Sequence, residues 1–354
     1  MPQSRTFKSL MVTGGCGFIG SNFIRYLLTE AGFSGKIINV DKLTYAGNPL
    51  SLNDIAQNYP DQYQFVQADV CNTDKIETIV KSFAVDGICH FAAESHVDRS
   101  ILSPQPFIDS NIVGTFKLLE ILRKYEDQFI LFHHISTDEV FGSLEDTGYF
   151  SETSPYQPNS PYSASKASSD LLVNAYANTY NLPITMSNCS NNFGPYQFPE
   201  KLIPLMLLNA LASKPLPVYG DGKQVRDWLY VTDHCEAVWT IMSQGLMGET
   251  YVIGGDAEKQ NIEVVQEICD ILDKRWPTKE SRRSLITHIK DRPGHDRRYA
   301  IDCTKIKQTL GWQPKESFET GLEKTIEWYM NHQKWVEKVQ SGDYRNWIAT
   351  QYDG

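Results

Sequence analysis

The sequence lacks an apolar run of the roughly 20 residues that a membrane-spanning helix needs, and we expect no membrane partner. Its first 15 residues contain no long apolar stretch either, so no signal peptide is expected. An excess of basic charge is also missing, because 33 Lys and Arg stand against 43 Asp and Glu, for a net charge of −10. Without a compensating basic stripe, this charge argues against binding to a nucleic-acid backbone. Any bound phosphate must therefore sit in a local site of a few cations and backbone amides, which favours small-molecule phosphates.

Paired cysteines are absent as well. The seven cysteines occur singly and never with C-x-x-C spacing, at positions Cys16, Cys71, Cys89, Cys189, Cys235, Cys269 and Cys303. Most lie in apolar stretches, which is typical of small core residues in a reducing cytoplasm. The same spacing argues against a zinc site, and we expect no metal.

What the sequence does contain is an alternation of short apolar runs with helical patterns. The runs predicted as strands are Ser9–Thr13, Lys36–Asp41, Gln64–Asp69, Gly87–Ala92, Phe129–Thr137, Pro183–Ser190 and Thr250–Ile253. The segments with helical spacing between them are Ser21–Glu30, Thr73–Phe83 and Ile112–Tyr125. Nearly continuous apolar strands indicate a parallel sheet that is covered on both faces. The sequence therefore predicts an α/β fold with a doubly wound, Rossmann-type parallel sheet.

After about residue 191 this rhythm breaks, and Pro, Gly and charged residues become frequent. We predict a dinucleotide-binding domain over 1–191, whose sheet is rejoined by about 228–255. Residues 192–227 and 256–354 are expected to form a second, smaller substrate lobe. The polar, aromatic end from Trp335 to Gly354 fits either a frayed tail or a strap over the molecule.

A glycine-rich turn follows the first predicted strand. Gly14, Gly17 and Gly20 permit a tight turn, close approach of the backbone to a pyrophosphate, and close packing of helix against strand. The helix that follows would present unpaired N–H groups and its positive end to the phosphates. Asp41 ends the second strand about 20 residues later, where a carboxylate binds the adenosine ribose hydroxyls. Because an acid repels a 2′-phosphate, NAD is favoured over NADP, although the neighbouring Lys42 weakens this preference slightly.

A Tyr and a Lys four residues apart open a predicted helix at Tyr162 and Lys166, so both fall on one helix face. A nearby ammonium, and the positive nicotinamide ring when bound, would favour the phenolate of a tyrosine whose ordinary pKa is about 10. Tyr162 is therefore a candidate base for an alcohol whose carbon gives up hydride. The pair is convincing only because the glycine turn accompanies it.

With these motifs the chain resembles the extended short-chain dehydrogenases that act on nucleotide sugars. The strand end Ile135-Ser136-Thr137 matches the place where a hydroxyl of this family bonds the reacting sugar, a role for Thr137 or Ser136. Asp138 and Glu139 follow directly, and this acid pair is similar to that of the dTDP-glucose 4,6-dehydratases. Oxidation at C4 acidifies the C5 proton, and elimination of water then needs a base and an acid. The resemblance implies that Glu139 takes the C5 proton and that Asp138 protonates the departing C6 hydroxyl.

The resemblance spans nearly the whole chain and implies most of the site residues. Asn191 is implied to contact substrate and Asn192 cofactor, while Phe193 stands where the family more often has Tyr. The residues implied to bind NAD are Gly14, Gly17, Phe18, Ile19, Gly20, Asp41, Lys42, Thr44, Asp69, Val70, Ala92, Ala93, Ser95, Ser110, Tyr162, Lys166 and Asn192. Those implied to bind the nucleotide sugar are His96, Thr137, Asn191, Lys201, Leu202, Pro217, Tyr219, Arg226, Asn261, Arg292 and His295. The basic residues Lys274, Lys279, Arg282 and Arg283 are expected to form only an exposed stretch.

The implied reaction converts dTDP-glucose to dTDP-4-keto-6-deoxyglucose and water with internally recycled NAD, as in deoxysugar (rhamnose) synthesis. The helical segments from Asn111 and from Ser163 carry apolar positions on more than one face, and the family implies a homodimer through a four-helix interface. Two rival functions stay open. One is a UDP-sugar 4-epimerase or a 4,6-dehydratase on another nucleotide sugar, and the other is a non-catalytic dinucleotide sensor. The acid pair argues against the epimerase, and retention of Tyr162 and Lys166 argues against the sensor.

Overall fold

The computed structural model describes residues 4–340, and within them a parallel sheet of seven strands forms the centre of the molecule. The strands are β1 Ser9–Thr13, β2 Lys36–Asp41, β3 Tyr63–Gln67, β4 Gly87–His90, β5 Leu131–Thr137, β6 Ile184–Cys189, β7 Asn191–Phe193, β8 Leu216–Tyr219, β9 Val225–Tyr230, β10 Thr250–Ile253, β11 Glu258–Gln260 and β12 Ile286–Ile289. The central sheet has the order β10-β6-β5-β4-β1-β2-β3.

Helices cover both faces of this sheet. They are α1 Phe18–Thr29, α2 Asn53–Asn58, α3 Thr73–Ser82, α4 Val97–Leu102, α5 Gln105–Phe107, α6 Thr115–Lys124, α7 Pro161–Tyr180, α8 Leu202–Leu211, α9 Val231–Gln244, α10 Asn261–Arg275, α11 Thr304–Leu310, α12 Phe318–Asn331 and α13 Gln333–Val339. Every residue of β1 and of β5 is buried, as the continuous apolar runs require. The strand order reverses between β1 and β4, and the loops that follow these strands diverge there into a crevice.

The predicted doubly wound α/β fold is confirmed. The predicted bounds of β1, β2 and β10 agree with the structure, and each of the other predicted strands differs by one or two residues at one or both ends. Two helix starts were wrong. The first helix begins at Phe18 rather than Ser21, because Gly17 serves as its N-cap without a side-chain hydrogen bond. The segment Ile108–Gly114, predicted in part as α-helix, forms a π-helix that leads into α6.

A second hydrophobic cluster lies between two small sheets and the later helices. One sheet has the order β11-β9-β7, and the other consists of β8 paired in parallel with β12. Their core is built from the buried residues of α8, α10 and α12. Within the segment 228–255, α9 packs against α1 and β10 joins the large sheet, whereas β9 belongs to the small one. Residues such as Ile306 and Trp312 pack with the core of the large sheet, so the late chain contributes to both clusters.

The late helices pack back onto the first half of the chain. Trp335 on α13 is buried, and its indole donates a hydrogen bond to Ser51 Oγ at 3.1 Å, 284 positions earlier. The hydroxyl of Tyr329 on α12 donates to the main-chain oxygen of Gln197. Of the segment predicted as either tail or strap, the part up to residue 340 thus packs onto the molecule. Residues 341–354 lie outside the described residues.

Several smaller features bear on the sequence-based expectations. Between residues 4 and 340 no helix is long and apolar enough to cross a membrane. The seven cysteines are free, and all except Cys71 are buried. His90, His133 and His134 are buried. The expectation of an exposed basic stretch was wrong for Arg282, which is buried because Asp273 pairs with its guanidinium at 2.7 Å.

Candidate active site

A cleft of about 330 Å³ opens where the strand order of the large sheet reverses. It brings together most of the residues that the sequence predicted for the site. The predicted residues that line it are Gly14, Gly17, Phe18, Ile19, Gly20, Asp41, Lys42, Thr44, Val70, Ala92, Ala93, Ser95, Ser110, Thr137, Asp138, Glu139, Tyr162, Lys166, Asn191, Asn192, Lys201 and Leu202. These positions come from chain segments almost 190 residues apart, so the fold assembles one continuous site from them.

The glycine turn at one end of the cleft leaves no space for side chains. Gly14 has φ +69°, and a Cβ there would lie 2.7 Å from the backbone of Ala92. A Cβ on Gly20 would lie 2.3 Å from the carbonyl oxygen of Gly14. At Gly17 the nearest atom would be 3.2 Å away, and this residue starts α1 without a side-chain cap. The first amides of α1 therefore remain available to an anion in the cleft, which fits the pyrophosphate of a dinucleotide.

Asp41 is held by two backbone amides at the end of β2. Its carboxylate accepts hydrogen bonds from the N–H of Cys16 at 3.0 Å and of Leu43 at 2.8 Å. Burial raises the pKa of Asp41, and these two bonds oppose the rise. Lys42 beside it donates to Ser110 Oγ at 2.8 Å. A carboxylate on the cleft wall with a fixed orientation fits the ribose of NAD.

Asp69 and Val70, two neighbouring residues implied to bind NAD, differ in their position relative to the cleft. Val70 lines the cleft, whereas Asp69 does not. The carboxylate of Asp69 instead accepts the N–H of Cys71 at 2.8 Å and lies 3.8 Å from the ammonium of Lys42. The contact of Asp69 with a dinucleotide stays a prediction.

The acid pair lies at the carboxyl end of β5, in a short 3₁₀ turn that Thr137 caps through Oγ1. Asp138 is only 1% exposed, and Thr137 Oγ1 donates to its Oδ1 at 3.3 Å. Its Oδ2 is buried and has no hydrogen-bond partner among the described residues. Asp138 is thus a shielded carboxyl group, and a solvated loop residue is excluded.

The surroundings of the two carboxyl groups differ. Burial raises the pKa of Asp138 well above its ordinary value, and the negative charges of Glu139 and Asp227 raise it further. Burial also raises the pKa of Glu139, but Lys201, Arg292 and Arg226 all act to lower it. A carboxyl group among acids favours the protonated form, whereas one among cations favours the carboxylate. This arrangement suits an acid at Asp138 and a base at Glu139.

Tyr162 lies in the first turn of α7, whose N-terminus is capped by Ser160. Burial raises the pKa of Tyr162 well above its ordinary value, and Glu139 raises it further. The ammonium of Lys166, one turn later, donates to the carbonyl oxygen of Ile135 at 2.8 Å. The expectation that Lys166 and a bound nicotinamide ring favour the phenolate stays a prediction.

The other predicted substrate residues are not part of the lining of the cleft. They are His96, Pro217, Tyr219, Arg226, Asn261, Arg292 and His295. Contacts join Tyr219, His295 and Asn261: the rings of Tyr219 and His295 lie 6.1 Å apart, and His295 is hydrogen-bonded to Asp291 at 2.6 Å. Gln224 donates to the same Asp291 at 2.9 Å and accepts the N–H of Asn261 through its carbonyl.

Two cations of this group act on the cleft. Arg226 is 5% exposed and donates to the carbonyl oxygens of Val225 and Asp296 at 2.7 and 3.0 Å. Arg292 bonds to Asp98 at 2.9 Å. Both act to lower the pKa of Glu139, so their positive charges are close enough to act on the acid pair in the cleft. Lys201 reaches across from the other side and donates to the carbonyl oxygen of Ser95 at 2.9 Å.

Sequence reasoning missed several acids in and around the cleft, and Glu200, Asp98 and Asp170 are three of them. Glu200 lines the cleft and pairs with Arg99 at 3.1 Å, and Asp98 pairs with Arg292. Asp170 is fully buried beneath the acid pair, where it accepts the Ser136 hydroxyl at 2.7 Å. Its four-residue spacing from Lys166 on α7 was the one signal in the sequence that pointed to it. The other two acids act through partners that are about 100 or more positions away.

Comparison with known proteins agrees with this geometry. The sequence model of the family described as GDP-mannose 4,6 dehydratase matches residues 11–325. The dTDP-glucose 4,6-dehydratase 1 of Escherichia coli K12 is 52% identical over 361 residues, covering 98% of this chain and 99% of that protein.

Solved structures extend the likeness to the fold. The dTDP-glucose 4,6-dehydratase of Bacillus anthracis in complex with NAD is 47% identical, covers 94% of this chain and 99% of that one, and has a TM-score of 0.85. DesIV, a dTDP-glucose 4,6-dehydratase of Streptomyces venezuelae with NAD and dTDP bound, is 42% identical with the same coverage and a TM-score of 0.88. The lining of the cleft, the acid pair and the similarity to these relatives all point to the same family. The chain belongs to the dTDP-glucose 4,6-dehydratase family of extended short-chain dehydrogenases.

Proposed function

We propose that this chain is an NAD-dependent lyase that converts dTDP-glucose to dTDP-4-keto-6-deoxyglucose and water. One observation carries the proposal: Asp138, Glu139 and Tyr162 line the same end of one cleft, whose other end is a phosphate-binding glycine turn. An enzyme that only oxidises or epimerises a sugar needs the tyrosine but not an acid pair in which Asp138 is buried and Glu139 lies among cations. The rival epimerase and the rival sensor leave Asp138 and Glu139 without a role.

The proposed roles follow from position and charge. Thr137 orients the reacting C4 hydroxyl, and Tyr162 takes its proton as the bond to the C4 hydrogen breaks. When bound, NAD would accept the hydride that leaves C4, and the reduced cofactor would return this hydride to C6 in the last step. Glu139 then takes the C5 proton, which the new C4 ketone has made acidic. Asp138 gives its proton to the C6 hydroxyl, which departs as water, and C5 finally regains a proton.

We also propose the cofactor and substrate contacts that the sequence predicted, with a dinucleotide-binding domain over 1–191 and a nucleotide-sugar lobe over 192–227 and 256–354. The cleft favours the cofactor assignment, since the glycine turn, the uncapped start of α1 and Asp41 surround one end. Three cations near Glu139, namely Lys201, Arg226 and Arg292, support a diphosphate on the other side. The preference for thymine over uracil rests on the relatives.

A homodimer through α6 and α7 is part of the proposal. Beside these helices the chain exposes Ile108, Val113, Phe116, Leu171 and Tyr180, each at least 36% accessible. The π-helix, α6 and α7 pack against one another, so these side chains belong to neighbouring elements. An apolar surface of this kind favours burial against a second copy. A reducing, cytoplasmic location is likewise a proposal, supported by seven free cysteines.

The decisive experiment supplies purified protein with dTDP-, UDP-, GDP- and CDP-glucose in D₂O. We expect a 4-keto-6-deoxy sugar from dTDP-glucose without any added reductant, with deuterium at C5. A product from another nucleotide alone would overturn the thymidine assignment. A C4 epimer in place of the keto sugar would overturn the lyase.

A further inference from the structure

Asp98 holds two side chains that approach it from distant parts of the chain. It lies on α4 and is 6% exposed. Its Oδ1 accepts a hydrogen bond from Arg292 Nη1 at 2.9 Å, and its Oδ2 accepts one from the Tyr219 hydroxyl at 3.3 Å. These partners are 194 and 121 positions away, so no local structure explains their convergence.

The two partners sit at one end of the two-stranded sheet. Tyr219 is the last residue of β8 and pairs in register with Ile289, the last residue of β12. Arg292 follows three residues later. Asp98 therefore fastens the end of this small sheet to α4, which belongs to the loop after β4.

The same short helix also touches the catalytic tyrosine. Val97 packs with Phe107 and Tyr162 in a small apolar cluster. Ser100 Oγ accepts the backbone N–H of Tyr162 at 3.2 Å. Asp98 is thus placed between the start of α7 and the cations that we propose for the diphosphate.

The position of Asp98 matters because several positive charges lie close together near it. Lys201, Arg226 and Arg292 all act on Glu139, so three cations converge in a small volume and repel one another. Asp98 pairs with one of them through a charge-assisted hydrogen bond, which fixes the guanidinium plane. The Nε of Arg292 stays buried without a hydrogen-bond partner among residues 4–340, so donor capacity remains for a ligand.

We propose that Asp98 is a positioning residue that holds Arg292 and Tyr219 in the arrangement that binds the diphosphate of the substrate. The inference rests on the proposed function, because it assigns Arg292 and Tyr219 to the nucleotide. If the side chains that contact a ligand are already fixed before it binds, no binding free energy is lost in ordering them. Asp98 itself touches neither the reacting carbons nor the cofactor in this assignment.

The test is a cycle of variants titrated with dTDP on NAD-loaded protein by calorimetry. Asp98→Asn keeps the shape of the side chain but removes its charge. We expect dTDP binding to weaken about tenfold, since hydrogen bonds to charged groups contribute that much or more. The KM for dTDP-glucose should rise by a similar factor while kcat changes less than twofold, and the affinity for NAD should stay the same.

The same Asp98 substitution in a protein that lacks the Arg292 side chain discriminates more clearly between a positioning role and a purely structural one. In Arg292→Ala protein, Asp98 is an unpaired carboxylate that repels the diphosphate, so adding Asp98→Asn should tighten dTDP binding. A purely structural Asp98 would weaken binding by the same factor in both backgrounds, and that outcome would overturn the inference. So would an unchanged dTDP affinity of the single variant, or a loss confined to kcat.

Asp273→Asn is the matched control, because Asp273 accepts Arg282 Nη1 at 2.7 Å outside the cleft. It should leave dTDP affinity unchanged, and an equal loss there would mean that any broken Asp–Arg pair has this effect, against the inference. Wild-type titration with dTDP and UDP separates the two proposals. Binding of UDP alone would overturn the thymidine assignment, and the cycle is then decided with UDP. Binding of neither nucleotide would overturn both.

Discussion

The ammonium of Lys166 donates a hydrogen bond to the carbonyl oxygen of Ile135, 2.8 Å away and 31 positions earlier in the chain. The cation is therefore tied to the backbone of β5, two residues before Thr137. Burial lowers the pKa of Lys166, and Asp170 is the first group that raises it. Asp170 in turn is fully buried and accepts bonds from His134, Ser136, Asn188 and Tyr156. The buried carboxylate of Asp170 thus favours the protonated, charged form of Lys166.

We expect Asp170→Asn to shift the alkaline limb of C4 oxidation to lower pH. Without the carboxylate, burial lowers the pKa of Lys166 unopposed except by Cys189, so the ammonium loses its proton earlier as pH rises. His134, whose pKa burial lowers to about 4, stays neutral across this range. The measurement is the pH dependence of nicotinamide absorbance on mixing with substrate. Tyr156→Phe removes one bond to Asp170 and no charge, so it should leave the limb in place; an equal shift in that variant would contradict the explanation.

Glu139→Gln should separate oxidation from elimination. The amide cannot take the C5 proton, so elimination should slow by roughly 10²–10⁴-fold, the range for a missing general base. C4 oxidation does not require this group, and reduced nicotinamide should therefore accumulate on the protein. Rapid mixing with dTDP-glucose, followed by absorbance at the reduced-nicotinamide band, checks it. Full turnover by Glu139→Gln would remove Glu139 from the proposed role.

Asp138→Asn should stabilise the fold increasingly as pH rises. The folded protein raises the pKa of Asp138 above its unfolded value, so the folded state binds more protons between these two values. Wild-type stability therefore falls as pH rises through that window, by about 1.4 kcal/mol for each pKa unit of difference. The neutral amide does not have this cost. Thermal unfolding at a series of pH values is the measurement, and a difference between the two proteins that does not depend on pH would argue against a protonated Asp138.

The glycine turn offers a matched pair of substitutions. Gly20→Ala forces a Cβ to 2.3 Å from the Gly14 oxygen, and we expect a lower melting temperature because backbone must move. Gly17→Ala meets its first neighbour at 3.2 Å and lines the cleft, so the fold should largely persist. Its affinity for NAD should fall, since the methyl group occupies the approach of the pyrophosphate. Melting curves and NAD titration check both, and an unchanged NAD affinity in Gly17→Ala would place the phosphates elsewhere.

Leu171→Lys tests the proposed dimer. Leu171 on α7 is 59% exposed, and a charge there should break an apolar interface with a second copy. Light scattering after size exclusion should show the mass fall to that of one chain. Leu246, 54% exposed and away from α6 and α7, serves as the control, and Leu246→Lys should keep the wild-type mass. A wild-type protein that is already monomeric would refute the dimer.

The sequence allowed the fold to be predicted wherever the signal was local. Continuous apolar runs predicted β1, β2 and β10 to the residue, because parallel strands that are covered on both faces have no solvent-facing side to interrupt the pattern. The π-helix Ile108–Gly114 was missed, since its residues suit an α-helix equally well and only packing against α7 distinguishes them. The start of α1 was also missed, because its N-cap residue Gly17 has no side chain by which a cap could be recognised.

The site residues likewise fall into those that a local sequence motif predicts and those that only the fold brings together. Contiguous motifs such as Asp138-Glu139 could be recognised from one stretch of chain. The bond between Arg292 and Asp98 could not, because no sequence pattern records a contact across 194 positions. The hydrogen-bond partner of Lys166 could not be predicted for a related reason. Helical spacing placed Lys166 on the same helix face as Tyr162, but the carbonyl of Ile135, on another element, receives the ammonium.

The bond from Trp335 to Ser51 has a consequence for how the protein is made. Synthesis runs from the amino terminus, and the segment after β2 leaves the ribosome long before its indole partner exists. The segment around Ser51 therefore lacks this contact until α13 has been synthesised and has packed onto it. A chain that stops before α13 should bind dinucleotide less firmly than one that includes it.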